Sequence, residues 1–279
     1  MLGVIDVGGG MRGIYGAGVF DRCIDDQVSF DCCIGVSAGA ANVLAFLAGQ
    51  RGRDYRFFYD YSFRKRYMSY WNFLLGHRLF NLNYVYDILS GSQGEDPLDY
   101  PALSRYQGIV NIVTTDEETA QPVYFSLEDI HQDDYAVIKA SCALPFFCKK
   151  EIVNGRRYFD GGVADPIPLE RAFALGCDRV VLILTKPKDV RRTTERDDKV
   201  ARIIRFKHPA IAQAVHQRAE VYNRTLEHAL ELEKEGKILI VAPDDTCGID
   251  TAKKTKEGLQ ALYEKGLADG AAIRDFIKG

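Results

Sequence analysis

The chain has 279 residues, 47% of them hydrophobic and 27% charged, with a formal net charge of −3. That balance excludes a disordered chain and leaves enough apolar material for one or two domains with a large core. A negative net charge supplies no global field for nucleic acid, so no nucleic-acid partner is expected.

The N-terminus shows no charged n-region followed by an apolar h-region, so no secretory signal is expected there. Leu2 to Val7 reads as a short buried strand ending at Gly8-Gly9-Gly10-Met11-Arg12-Gly13. Gly13 to Asp25 carries apolar residues near helical spacing, and Phe30 to Ile34 reads as a second strand, with Asp31 a blemish in it. Cys32 and Cys33 lie in that strand. The seven cysteines form no C-x-x-C pair and are expected as reduced, mostly buried thiols in the cytoplasm. Ala38 to Ala48 is rich in Ala and Leu and reads as a helix closed by Gly49. The apolar stretch 35–49 falls short of the roughly 20 residues that cross a bilayer, so no transmembrane segment is expected.

Residues 55–86 hold 13 of the 31 aromatic residues, with Arg56, Arg64, Lys65, Arg66 and Arg78 among them. Such a segment suits peripheral contact with a membrane surface or an acyl tunnel, and equally a set of rings packed under a helical cap. Residues 109–113, 179–184 and 237–241 are near-continuous apolar runs, as strands covered on both faces are. Helical patterns at 169–175 and 210–235 intervene, and one or two amphipathic helices are expected over 251–277. The alternation predicts a three-layer α/β/α fold around a mainly parallel sheet. The polar stretch 186–198 is the most linker-like, which divides the chain into residues 1–185 and an extension, 186–279, with one strand at 237–242.

Two motifs carry chemistry at the first strand ends. Gly35-Val36-Ser37-Ala38-Gly39 fits G-x-S-x-G between a strand and an Ala-rich helix. A sharp turn there projects the Ser37 hydroxyl above the sheet edge, beside the positive end of the following helix. Ser37 then reads as a nucleophile or as a simple helix cap. The glycine stretch has two readings of its own. Gly8, Gly10 and Gly13 match G-x-G-x-x-G, with Asp25, Asp26 and Asp31 near the place of a ribose-binding acid, as in a dinucleotide-binding oxidoreductase. Alternatively, successive backbone N–H groups of the glycine-rich turn converge on an oxyanion, with the Arg12 charge nearby.

A serine nucleophile needs a base. None of His77, His131, His208, His216 and His228 sits in a small-residue loop after a strand. Asp160 is better placed, at the end of Arg157-Tyr158-Phe159 and before Gly161 and Gly162. It reads as a general base in a partly dry site, or as a turn-capping residue.

The ordered set G-G-G-M-R-G, G-V-S-A-G and D-G-G resembles the patatin-like phospholipase family of serine acyl hydrolases. The stretch Lys139 to Phe147, small residues and then Leu-Pro, resembles the segment before that family's aspartate. The resemblance covers about residues 1–185 and implies a patatin-like fold. It implies Ser37 as nucleophile, Asp160 as base of a two-residue dyad, and Gly8, Gly9, Gly10 and Arg12 as the oxyanion hole. Gly13, Gly35, Gly39, Gly161 and Gly162 would support the motifs. It further implies lipid ester substrates, no metal and no cofactor. A catalytically silent lipid-binding regulator on the same fold is the other outcome it allows.

Overall fold

The computed structural model describes residues 1–74 and 78–278. His77 lies outside the described residues. One eight-stranded sheet organises them, formed by β1 (Leu2–Asp6), β2 (Cys32–Val36), β3 (Ile109–Asp116), β4 (Pro122–Phe125), β5 (Glu151–Val153), β6 (Arg156–Asp160), β7 (Arg179–Ile183) and β8 (Ile238–Val241). The order is β5-β6-β3-β2-β1-β7-β8, with β4 on the far half of β3. β2, β1, β7 and β8 run parallel with β3, while β4, β5 and β6 are antiparallel additions at one edge.

The parallel strands read as unbroken apolar runs because both faces are covered. Along β7, Val181 and Ile183 join the core cluster on one face, and Val180 and Leu182 join the other. Side chains alternate across a strand, so each face receives every second residue. The first face packs against α1 (Ile14–Asp25) and α2 (Ala38–Leu47), and the second against helices 169–174 and 209–234.

The second strand begins at Cys32, two residues later than its composition predicts. Asp31 is the reason: its carboxylate accepts the Leu2 N–H at 2.7 Å, which makes it a fixture of the sheet's lower edge. The linker-like stretch ends in a helix, Glu195–Ile204, whose Ala201 and Ile204 pack with Ile211, Val215 and Phe159. Helix 256–269 lies against α1, where the Tyr15 hydroxyl donates to Asp269 at 2.7 Å and the Tyr263 hydroxyl to Asp21 at 2.6 Å.

The aromatic segment divides. Phe57, Phe58, Tyr61, Tyr67, Phe80, Tyr84 and Tyr86 are buried in the core. Phe63, Tyr70, Trp71 and Leu74 are exposed, Trp71 by 73%. Among the described residues no helix is long and apolar enough to cross a membrane.

Candidate active site

β2 delivers the chain to Ser37, and α2 starts one residue later. Ser37 sits at φ 57°, ψ −128°, a backbone conformation that side-chain-bearing residues rarely adopt. The flanking glycines follow from contact. A β-carbon on Gly35 would lie 2.5 Å from the Ala40 Cα, and one on Gly39 would strike the Asp6 carbonyl. The turn is held from beneath: the Ser37 N–H donates to Ser141 Oγ at 2.9 Å, and that hydroxyl donates to the Val113 carbonyl at 2.7 Å.

The glycine loop follows β1. Gly8, Gly9 and Gly10 have φ of 61°, 125° and 63° in succession. A non-glycine residue at Gly8 would drive its β-carbon into the Val36 carbonyl. Asp6 anchors the loop. Its Oδ1 accepts the Gly8 N–H at 2.8 Å, and its Oδ2 accepts Asn42 Nδ2, which also donates to the Gly13 carbonyl at 2.9 Å. Burial pushes the Asp6 carboxyl up to about 6, against the pull of the Asn42 and Gly8 donors. The Gly8 N–H is therefore engaged by Asp6. The Gly9 and Gly10 N–H groups have no acceptor among the described residues.

Arg12 is buried, pairs with Asp250 and leaves its Nε without a partner. The Met11 N–H donates to the Thr251 carbonyl at 3.1 Å, and that carbonyl occupies the approach to Gly10.

Asp160 ends β6 and is 2% exposed. Its Oδ1 accepts the Gly162 N–H at 2.8 Å. The Ser37 hydroxyl favours the carboxylate form, and Oδ2 is a buried acceptor with no hydrogen-bond partner. Burial raises the Asp160 carboxyl to about 6, and the Ser37 hydroxyl, the Gly162 N–H and the Arg218 and Arg192 charges oppose the rise. A carboxylate in that state is a stronger base than one in water, and it has one oxygen unoccupied.

Ser37, Asp160, Gly162, Arg12 and the loop 8–10 line one cavity of about 260 Å³. The same cavity is lined by residues that the sequence offered no motif for: Thr185, Lys186, Arg192, Arg196, Arg218, Asp250 and Thr251. A second cavity, about 70 Å³ and mostly apolar, also opens on Ser37 and is walled by Met11, Ala41, Phe57, Phe58, Leu82 and Val85. None of the described histidines lines either cavity. His208 and His216 sit against Glu117 and Asp198. Among the described residues, no three or more His, Cys, Asp or Glu side chains form a group suited to a metal ion.

The family model for patatin-like phospholipases matches residues 7–173, and one for a domain of unknown function (DUF6363) matches residues 208–277. The uncharacterized protein YjjU of Escherichia coli strain K12 is 28% identical over 209 residues, covering 70% of this chain and 54% of that protein. VipD from Legionella pneumophila superposes with a TM-score of 0.52 at 13% identity, covering 98% of this chain and 66% of that one. The chain thus spans about half the length of YjjU, and the likeness to VipD is one of fold.

Proposed function

The chain belongs to the patatin-like phospholipase family, and we propose that it is a serine acyl hydrolase that cleaves lipid acyl esters through Ser37 and Asp160. One observation carries the reading. Residues 123 positions apart share a cavity, one a hydroxyl on a strained turn, the other a buried carboxyl raised to about 6 with a free oxygen.

In this mechanism Asp160 takes the Ser37 proton as Oγ attacks the ester carbonyl carbon. The carbonyl oxygen becomes an oxyanion beside the Gly9 and Gly10 N–H groups, with Arg12 adding positive charge. The C–O bond to the alcohol breaks, and the leaving oxygen takes the proton from Asp160. Water then attacks the acyl-enzyme, Asp160 takes its proton, and Ser37 regains one as the carboxylic acid departs. The apolar cavity takes the acyl chain and the charged cavity the alcohol. Exposed Phe63, Tyr70, Trp71 and Leu74 give a face for peripheral contact with lipid.

The direct test is a fluorophosphonate probe followed by peptide mapping. Covalent labelling is expected at Ser37, and an adduct on a different serine, or none, removes the proposal. The acyl-side assignment has its own test. Ala41→Leu fills the apolar cavity from a helix that tolerates leucine. It is expected to lower kcat/KM for p-nitrophenyl octanoate about 10-fold relative to the acetate ester. An unchanged chain-length profile would place the acyl group elsewhere.

A further inference from the structure

The cavity that Ser37 lines is unevenly charged. Arg12, Lys186, Arg191, Arg192, Arg196 and Arg218 line the cavity, against the carboxylates of Asp160, Asp197 and Asp250. Asp197 is shared by Arg192 at 3.0 Å and by Arg218. Asp250 is shared by Arg12 and by Arg196, the latter at 2.9 Å. Two carboxylates thus serve four guanidinium groups. Lys186 has no carboxylate or hydrogen-bond partner among the described residues, and Arg12, nearly fully buried, keeps an unpartnered Nε.

The chain just before Lys186 is tied to the glycine loop, where the Thr185 hydroxyl donates to the Gly8 carbonyl. An unpaired ammonium whose charge is felt by a buried guanidinium is an incomplete site, since such charges normally have an anion between them.

We propose that Lys186, with Arg12, Arg192 and Arg196, forms a subsite that recognises a phosphate carried by the alcohol half of the ester, selecting anionic over neutral and zwitterionic substrates. The proposal rests on the hydrolase reading for its link to turnover. Its chemistry is that of an oxyanion with several acceptor oxygens, which a lysine and forked guanidinium groups engage together. Burial and the neighbouring Arg12 and Arg192 charges lower Lys186 to about 8, and a bound anion would reverse that strain. A quaternary ammonium headgroup fares worse here. It needs an aromatic cage, and the aromatic residues of this cavity are Phe147 and Tyr222 alone among those described, amid excess positive charge.

The test compares three esters with one acyl chain: a phosphomonoester (lysophosphatidate), a zwitterionic choline phosphodiester and a neutral monoacylglycerol. Wild type is expected to favour the phosphomonoester by kcat/KM. Lys186→Met is expected to lower the phosphomonoester-to-neutral ratio about 10-fold, and Lys186→Arg to retain most of it. A ratio unmoved by Lys186→Met, or a preference for the choline ester, overturns the proposal. Calorimetry with glycerol 3-phosphate gives a readout without turnover. Binding to wild type that Lys186→Met abolishes supports the subsite even if no ester is cleaved, in which case only the hydrolase reading falls. Inorganic phosphate binding as tightly as glycerol 3-phosphate would mark a free-phosphate site and overturn the assignment to the substrate's alcohol.

Discussion

Ser37→Ala is expected to lower kcat/KM for p-nitrophenyl esters by about 10⁴-fold or more, since the attacking oxygen is gone and only binding and the glycine loop remain. Ser37→Gly should be equally inactive, and comparing the two separates chemistry from backbone strain. Ser37 occupies φ 57°, ψ −128° at the head of α2. Alanine keeps the β-carbon that makes this conformation unfavourable, and glycine removes it. Strain of this kind is worth on the order of 1–3 kcal/mol, partly offset by the extra freedom glycine gains when unfolded. Ser37→Gly is therefore expected to be more stable than Ser37→Ala by about 1 kcal/mol in urea denaturation. Alanine equal to or above glycine in stability would show that the turn stores no strain. Residual activity near the wild-type level in either variant would place the nucleophile elsewhere.

What the sequence revealed and what it hid have physical reasons. The Ser37 turn was readable because its glycines answer to contacts with the neighbouring backbone: Gly35 lies under Ala40 and Gly39 over Asp6. The central strands were readable because residues such as Val180 to Ile183 are buried on both faces. β4 and β5 were missed because they are four and three residues long at an edge, too short for a periodic signal. Asp6 gave no signal as an anchor. An acid within an apolar run looks like an irregularity until the Gly8 N–H is found on it. Lys186, Arg192 and Arg196 sit in a polar stretch that resembles a linker. Only the fold brings them into one cavity with Ser37, together with Asp250 and Thr251 from beyond β8. The glycine loop is thus closed by residues more than 200 positions away, through Met11 to Thr251 and Arg12 to Asp250.

Asp160→Asn sets activity and stability against each other, and the sign follows from burial. The folded carboxyl titrates at about 6, above its ordinary value of 3.8, because burial disfavours the charge more than Ser37 and Gly162 support it. Such a group binds its proton more tightly in the folded state. Its favourable contribution is complete below the unfolded value and is lost as pH rises through about 6. Above that, folding must bury a carboxylate, at a cost on the order of 3 kcal/mol for a shift of about two units. Asparagine carries no charge and keeps an oxygen for the Gly162 N–H. Asp160→Asn is thus expected to match wild type closely near pH 4 and to exceed it in denaturant stability at pH 8, by up to that amount. The same variant is expected to lose about 10²–10⁴-fold in kcat/KM, as removal of a general base does. Wild-type kcat/KM should rise with pH through about 6 and then level off as the base loses its proton. A stability gap that fails to grow between pH 4 and pH 8 would mean that water reaches the carboxylate. In that case Asp160 would be an ordinary weak base, and its proximity to Ser37 would have to account for any proton transfer by itself.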